Sequence, residues 1–134
     1  MPANPIFIEI ADSSEKFLAT VQSHIAAESG DELPYVWAPD QLHAAVSDFR
    51  SGDHNLLDQL ICLADRLLQS ASHSVREFAS VGLIEDMQNS NIVPEEVQAY
   101  ILSQLNGRCK IAWDDVMKFW NGEIPVIPDR LTSH

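Results

Sequence analysis

The chain has 134 residues, 46% hydrophobic and 21% charged, with 20 acids against 8 lysines and arginines and a net charge of −12. This length suits a single domain over 1–134, able to bury roughly two-thirds of the surface its unfolded chain exposes. The charge excludes a nucleic-acid or anionic-membrane surface and favours a basic partner.

The charge is uneven. Residues 1–65 carry eleven acids and two bases, and residues 66–134 carry nine acids and six bases. No stretch approaches the roughly 18 apolar residues of a membrane span. The opening Met-Pro-Ala-Asn-Pro lacks a basic segment followed by an apolar run, so no signal peptide is expected and the default compartment is the cytoplasm. Cys62 and Cys109 stand far apart without a CxxC motif. Two buried free thiols are expected, with a single bridge as the alternative, and with no disulfide framework and no cysteine-rich zinc site.

Ile6 to Ile10 reads as a short strand or an extended lead-in. Asp12 and Glu15 stand at capping-box spacing and open a helix to about Glu28, with Phe17, Leu18, Val21 and Ile25 on one face. The segment from Glu32 to Pro39 holds two prolines and two aromatics and reads as a loop plugging the edge of the core. Pro39 suits the first turn of the next helix, which runs through Leu42, Ala45, Val46 and Phe49 to Ser51-Gly52.

Asp53 caps a helix to about Ala71. Its apolar face is wide, and Asp58, Cys62, Asp65 and Gln69 form the opposite line at spacings of 4, 3 and 4. A short turn then leads into the stretch His73 to Asn89. Ser74 and Glu77 repeat the capping-box spacing, and Phe78 to Ile84 is apolar except at Ser80. A helix apolar on most sides is surrounded by other helices. Gly82 costs about 1 kcal/mol relative to Ala there, so it needs a close-packing reason. This helix and the preceding one form an αα-hairpin.

Pro94-Glu-Glu opens a helix with Val97, Tyr100, Ile101 and Leu105 on its face, stopped at Asn106-Gly107. A last helix runs from about Ile111 to Asn121-Gly122. Ile124-Pro-Val-Ile-Pro-Asp129 cannot be helical and reads as an extended strap over a groove. The expected fold is all-α: a six-helix bundle of stacked αα-hairpins with HEAT-like packing and an extended C-terminal strap.

The chemistry-bearing motifs are missing. The five histidines, His24, His43, His54, His73 and His134, form no HExxH and no di-iron ExxH pair. His54 and Asp58, four apart at a helix start, are a weak metal pair, and a solvated helix-end histidine is the better reading. There is no GxSxG and no glycine-rich phosphate cradle. The adjacent acid pairs at 85/86, 95/96 and 114/115 point about 100° apart on a helix and form no acid–base couple. No enzyme activity and no cofactor are expected.

Protein binding remains. Acids cluster at Glu28, Asp31 and Glu32, then at Asp48, Asp53, Asp58 and Asp65, then at Glu85 and Asp86. An acidic rim steers a basic partner. Trp37 is the candidate aromatic anchor beside it.

The runs Leu33-Pro-Tyr-Val-Trp37, Asp48 to Asp53, and Val75-Arg-Glu-Phe-Ala-Ser-Val-Gly-Leu-Ile-Glu-Asp-Met-Gln-Asn89 carry a resemblance covering residues 33–89. They resemble a family of small acidic helical immunity proteins of bacteria, encoded beside the toxins of contact-dependent growth inhibition and other polymorphic toxin systems. The resemblance implies a cytoplasmic inhibitor that binds a cognate toxin domain, commonly a nuclease, and blocks its active site. It assigns no toxin-contact residue. The alternative is a helical-repeat scaffold or adaptor for a basic cytoplasmic partner. A metal-dependent hydrolase built on His54 and Asp58 is a distant third.

Overall fold

A computed structural model describes residues 3–129. His134 lies outside the described residues, as do Met1, Pro2 and the segment 130–133. Every regular element among the described residues is helical: α1 (Pro5–Ser13), α2 (Glu15–Ala27), α3 (Pro34–Arg50), α4 (Asn55–Leu68), a continuous α5 over 73–87, α6 (Glu95–Gln104) and α7 (Gly107–Trp120). That makes seven helices where the sequence predicts six.

The additional helix is α1. Ile6, Ile8 and Ile10 alternate like a strand, but the buried set is Ile6, Phe7 and Ile10, which is helical spacing. Asn4 caps this helix, its Oδ1 accepting from the Ile6 N–H at 2.9 Å, and Pro5 fills the first turn. Ser14 then takes an extended conformation and caps α2 through Phe17 N–H. Asp12, the expected cap, is instead an exposed residue inside α1.

The 32–39 segment is also helical rather than a loop. Pro34 occupies the first turn of α3 and Pro39 lies inside the helix. Pro39 deprives the Tyr35 carbonyl of its usual donor. Tyr35 is on the exposed side of the helix.

The helix α5 is the centre of the molecule. It begins as α-helix (His73–Glu77), widens to π-helix (Phe78–Ile84) and ends in an α-helical turn (Glu85–Met87). Val75, Phe78, Ala79, Leu83 and Ile84 are fully buried. It packs against α1, α3, α4 and α7. Gly82 shows why the packing needs a glycine. A Cβ there would lie 2.7 Å from Phe78 Cδ1 and 3.3 Å from Tyr35 Cε1. The Phe78 ring lies over the glycine, and Tyr35 meets that ring edge-on at 5.2 Å.

A second cluster joins α1, α2 and α3. Trp37 is fully buried and meets the rings of Phe7 and Phe17 edge-on. Its Nε1–H donates to Thr20 Oγ1 at 3.3 Å. Among the described residues, no helix is long and apolar enough to cross a membrane.

Candidate functional site

Two features on different parts of the molecule gather polar chemistry. One is the acidic corner and outer face of the α3–α4 hairpin. The other is a cavity beneath the C-terminal strap.

The outer line of α4 is as the spacing predicts, with Cys62 exposed and Asp58 and Asp65 half-buried beside it. Asp58 and Cys62 border a shallow groove of about 420 Å³ against the α1–α2 junction. Lys16 and Arg66 also line it, so this groove is mixed in charge. Asp48 and Asp53 meet at the α3–α4 corner, where Asp53 N–H donates to the Asp48 carbonyl at 2.9 Å.

Several of these acids serve the fold. Asp53 Oδ1 accepts from Asn55 N–H at 3.0 Å at the start of α4. Asp58 Oδ1 accepts from the Tyr100 hydroxyl at 2.7 Å, tying α4 to α6 and raising the tyrosine pKa. His54 lies in an aromatic cluster, stacked on Phe49 at 4.3 Å and edge-on to Tyr100. This stacking places the imidazole at the corner between α3, α4 and α6. No cluster of three or more metal-ligating side chains occurs among the described residues. Asp65 Oδ2 accepts from Gln69 at 3.2 Å. Glu32 Oε1 accepts from the N–H groups of Ala3 and Asn4 at 2.8 and 2.9 Å, holding the entry to α1. Glu28 is half-buried at the end of α2 and Asp31 is exposed in the turn after it.

Trp37 is no surface anchor. Its burial in the α1–α2–α3 cluster corrects that expectation, because an indole so enclosed is core. The exposed apolar residues at the start of α3 are instead Leu33, Tyr35 and Val36. Cys62 likewise departs from the two buried thiols expected. It is exposed on the polar line of α4, while Cys109 is buried and its thiol is pushed up to about 12 by burial and by neighbouring Asp65 and Cys62.

Glu85 and Asp86 lie at the far end of α5, lining no part of the α4 groove. Burial raises the Glu85 pKa. Burial, followed by repulsion from Glu85, raises Asp86 to about 6. Tyr35 nearby is raised by burial and then by Glu77 and Glu85.

The strap leaves α7 at Trp120 and crosses toward the start of α5. Beneath it lies a cavity of about 520 Å³. Helix α5 supplies Arg76, Val81 and Glu85 to its walls, and α7 supplies Arg108, Ala112 and Phe119. Asp129 closes one end. It takes hydrogen bonds from Arg76 Nε at 2.8 Å and Nη2 at 2.7 Å, and lies 2.9 Å from His73 Nδ1. Arg76 also donates to the Ser70 carbonyl at 2.9 Å, and Ser70 Oγ donates to Glu9 of α1. The proline pair and the isolated apolar run foretell a strap, but nothing local in the sequence assigns Arg76 to Asp129.

A family model described as a domain of unknown function, DUF7674, matches residues 7–121. No curated protein and no solved structure matches the chain. The family match covers all seven helices except the start of α1, and the chain belongs to the DUF7674 family.

Proposed function

We propose that this protein is a cytoplasmic immunity protein. It binds a cognate secreted toxin domain, a basic nuclease, and neutralises it by occluding the active site. Carboxylates stand where the substrate's phosphates would lie, and the protein itself performs no catalysis. The observation that carries this reading is the concentration of acid in the first half of the chain, eleven acids against two bases over residues 1–65. Such a field accelerates encounter with a basic partner and repels anionic competitors. The resemblance over residues 33–89 supports the same reading.

The helices would stack as αα-hairpins in HEAT-like fashion, α1 with α2 and α3 with α4, around α5. Acids already bound within the fold contribute field more than contact. Asp53, Asp58 and Glu32 are of this kind. Contact would fall to Asp31, to Asp48 and to Asp65, whose carboxylate bonds exposed Gln69 one turn along the same helix, with Glu85 and Asp86 as a second patch beside exposed Tyr35.

The test uses the product of the gene next to this one, assayed first for toxicity. Co-purification and inhibition are measured for the native chain and for Asp31→Lys, Asp48→Lys and Asp65→Lys combined. The triple variant should bind at least tenfold more weakly and lose most of the salt dependence. Unchanged binding and unchanged salt dependence would sink the acidic-face reading. A basic partner with no toxic activity would make the protein an adaptor instead.

A further inference from the structure

The start of α3 leaves three apolar side chains in solvent. Leu33 is 38% exposed, Tyr35 46% and Val36 43%. Pro34 and Trp37 of the same turn face inward, so these three form its outer side. One exposed apolar residue is ordinary, but three within four positions mark a surface that something covers.

Tyr35 is half-exposed, yet its ring is held. It meets Phe78 edge-on at 5.2 Å, and its Cε1 lies 3.3 Å from where a Cβ at Gly82 would stand. The glycine thus lets the ring lie close against α5. A ring already held in place loses little freedom when a partner covers it. Tyrosine offers both apolar contact and a ring face that attracts cations.

The charges around this ring are acidic. Glu77 and Glu85, on the neighbouring stretch of α5, are the charges that act on Tyr35. Glu85 acts in turn on Asp86. Glu77 pairs with His73 at 3.2 Å. Glu85 and Asp86 make no ion pair among the described residues, and both carboxyls are shifted upward, which a nearby cation would oppose. Neither neighbouring guanidinium compensates them. Arg76 is bonded to Asp129, and Arg108, on α7, shares a cavity wall with Glu85 but leaves its carboxyl raised. An apolar patch with an uncompensated acidic border fits an apolar surface that carries a cation.

We propose that the start of α3 docks a protein segment that presents a lysine or arginine beside a bulky apolar residue. The apolar residue lies on Leu33 and Val36, the stem of the basic side chain crosses the Tyr35 ring, and its charged head meets Glu85 and Asp86. This rests on the reading of a basic protein partner and gives that partner the aromatic anchor that buried Trp37 does not supply.

Three blocked peptides test it: acetyl-Leu-Lys-Leu-Lys-Leu-amide, its serine counterpart acetyl-Ser-Lys-Ser-Lys-Ser-amide, and its acidic counterpart acetyl-Leu-Glu-Leu-Glu-Leu-amide. Each is titrated into the full chain while backbone and methyl NMR shifts are followed. The first should move resonances of Leu33, Tyr35, Val36 and Glu85, and the other two should bind about tenfold more weakly. Tyr35→Leu should weaken the first peptide about fivefold, while Tyr35→Phe, which keeps the ring, should leave it unchanged. Glu85→Gln combined with Asp86→Asn keeps side-chain size and should weaken it about fivefold, with a flatter salt dependence. The dispersion of each variant's spectrum shows that it is folded. The proposal is overturned if the serine or acidic peptide binds as well as the first, if Tyr35→Leu changes nothing, if Tyr35→Phe loses as much as Tyr35→Leu, or if the shifts lie elsewhere or are absent. A partner without toxic activity would sink the immunity reading and leave this patch standing. A peptide seated on the α3–α4 corner would do the reverse.

Discussion

Asp129 reaches Arg76 across 53 residues of chain and holds it through Nε and Nη2 at 2.8 and 2.7 Å. The arginine side chain is only 9% exposed and the aspartate 23%. Removing the aspartate leaves a guanidinium in a poorly solvated place. Losing one partner of such a pair costs about 3 kcal/mol or more when both are fully buried, and somewhat less here. Among the described residues, Asp129 carries the strap's side-chain hydrogen bonds, all of them to α5. Asp129→Asn should therefore lower stability by about 2 kcal/mol in urea unfolding. It should also make the 122–129 segment the first site cut in limited proteolysis. Equal protease resistance in both proteins would show that apolar contacts alone hold the strap.

Gly82→Ala pits helix propensity against packing. Alanine gains about 1 kcal/mol of intrinsic helix preference over glycine. Against this, its Cβ would stand 2.7 Å from Phe78 Cδ1 and 2.8 Å from Cε1. Phe78 is fully buried, so its ring has nowhere easy to go. Overpacking of this kind costs about 1–3 kcal/mol. We expect net destabilisation of about 1 kcal/mol, and Phe78→Leu in the same background should recover part of it. An alanine variant as stable as the parent would mean that the π-helical turn relaxes to admit the methyl group.

These two sites differ in how far the sequence announces them. The burial of α5, the polar line of α4 and the non-helical strap all follow from local spacing and from proline chemistry, and all three appear. Gly82 stands in an apolar helix, and its need for close contact is legible too. The widening to π-helix over Phe78–Ile84 is not, because it depends on how Phe78 and Tyr35 pack from two helices. The helix α1 is missed because Ile6, Ile8 and Ile10 mimic a strand, although Asn4-Pro5 carries a cap-and-first-turn signal. The start of α3 is missed because two prolines suggest a loop when one fills the first turn and the other is tolerated inside. The pairing of Arg76 with Asp129 has no local signature. Arg76 stands beside Ser74 and Glu77, before the apolar run begins, where an arginine reads as an ordinary solvated helix residue.

The two cysteines should report the fold by reactivity. Only the thiolate attacks a disulfide reagent. Cys62 is exposed on α4, while the Cys109 thiol is pushed up to about 12 by burial. Native protein at pH near 7 should release one equivalent with Ellman's reagent quickly, and a second only on unfolding. Cys62→Ser should remove the fast phase and Cys109→Ser the slow one. Two fast equivalents in native protein would contradict the burial of Cys109 between α4 and α7.

Asp86 makes stability depend on pH in an unusual direction. Its pKa in the folded protein is raised from 3.8 to about 6, first by burial and then by the neighbouring Glu85 charge. The folded state therefore binds this proton more tightly than the unfolded chain does. Over the interval between those two values, stability from this group falls as pH rises, and the loss is complete once pH passes well above 6. Asp86→Asn removes the charged form and should stabilise the protein near neutral pH. Each tenfold difference in proton affinity between the folded and unfolded chain is worth about 1.4 kcal/mol, so the full difference would approach about 3 kcal/mol, and solvent access to this half-buried side chain reduces it to about 1 kcal/mol. The gain should shrink steadily toward pH near 4, where the native carboxyl is already protonated. Urea midpoints of both proteins across that range are the measurement. A gain that stays constant with pH would trace to packing or helix propensity and not to the Asp86 charge.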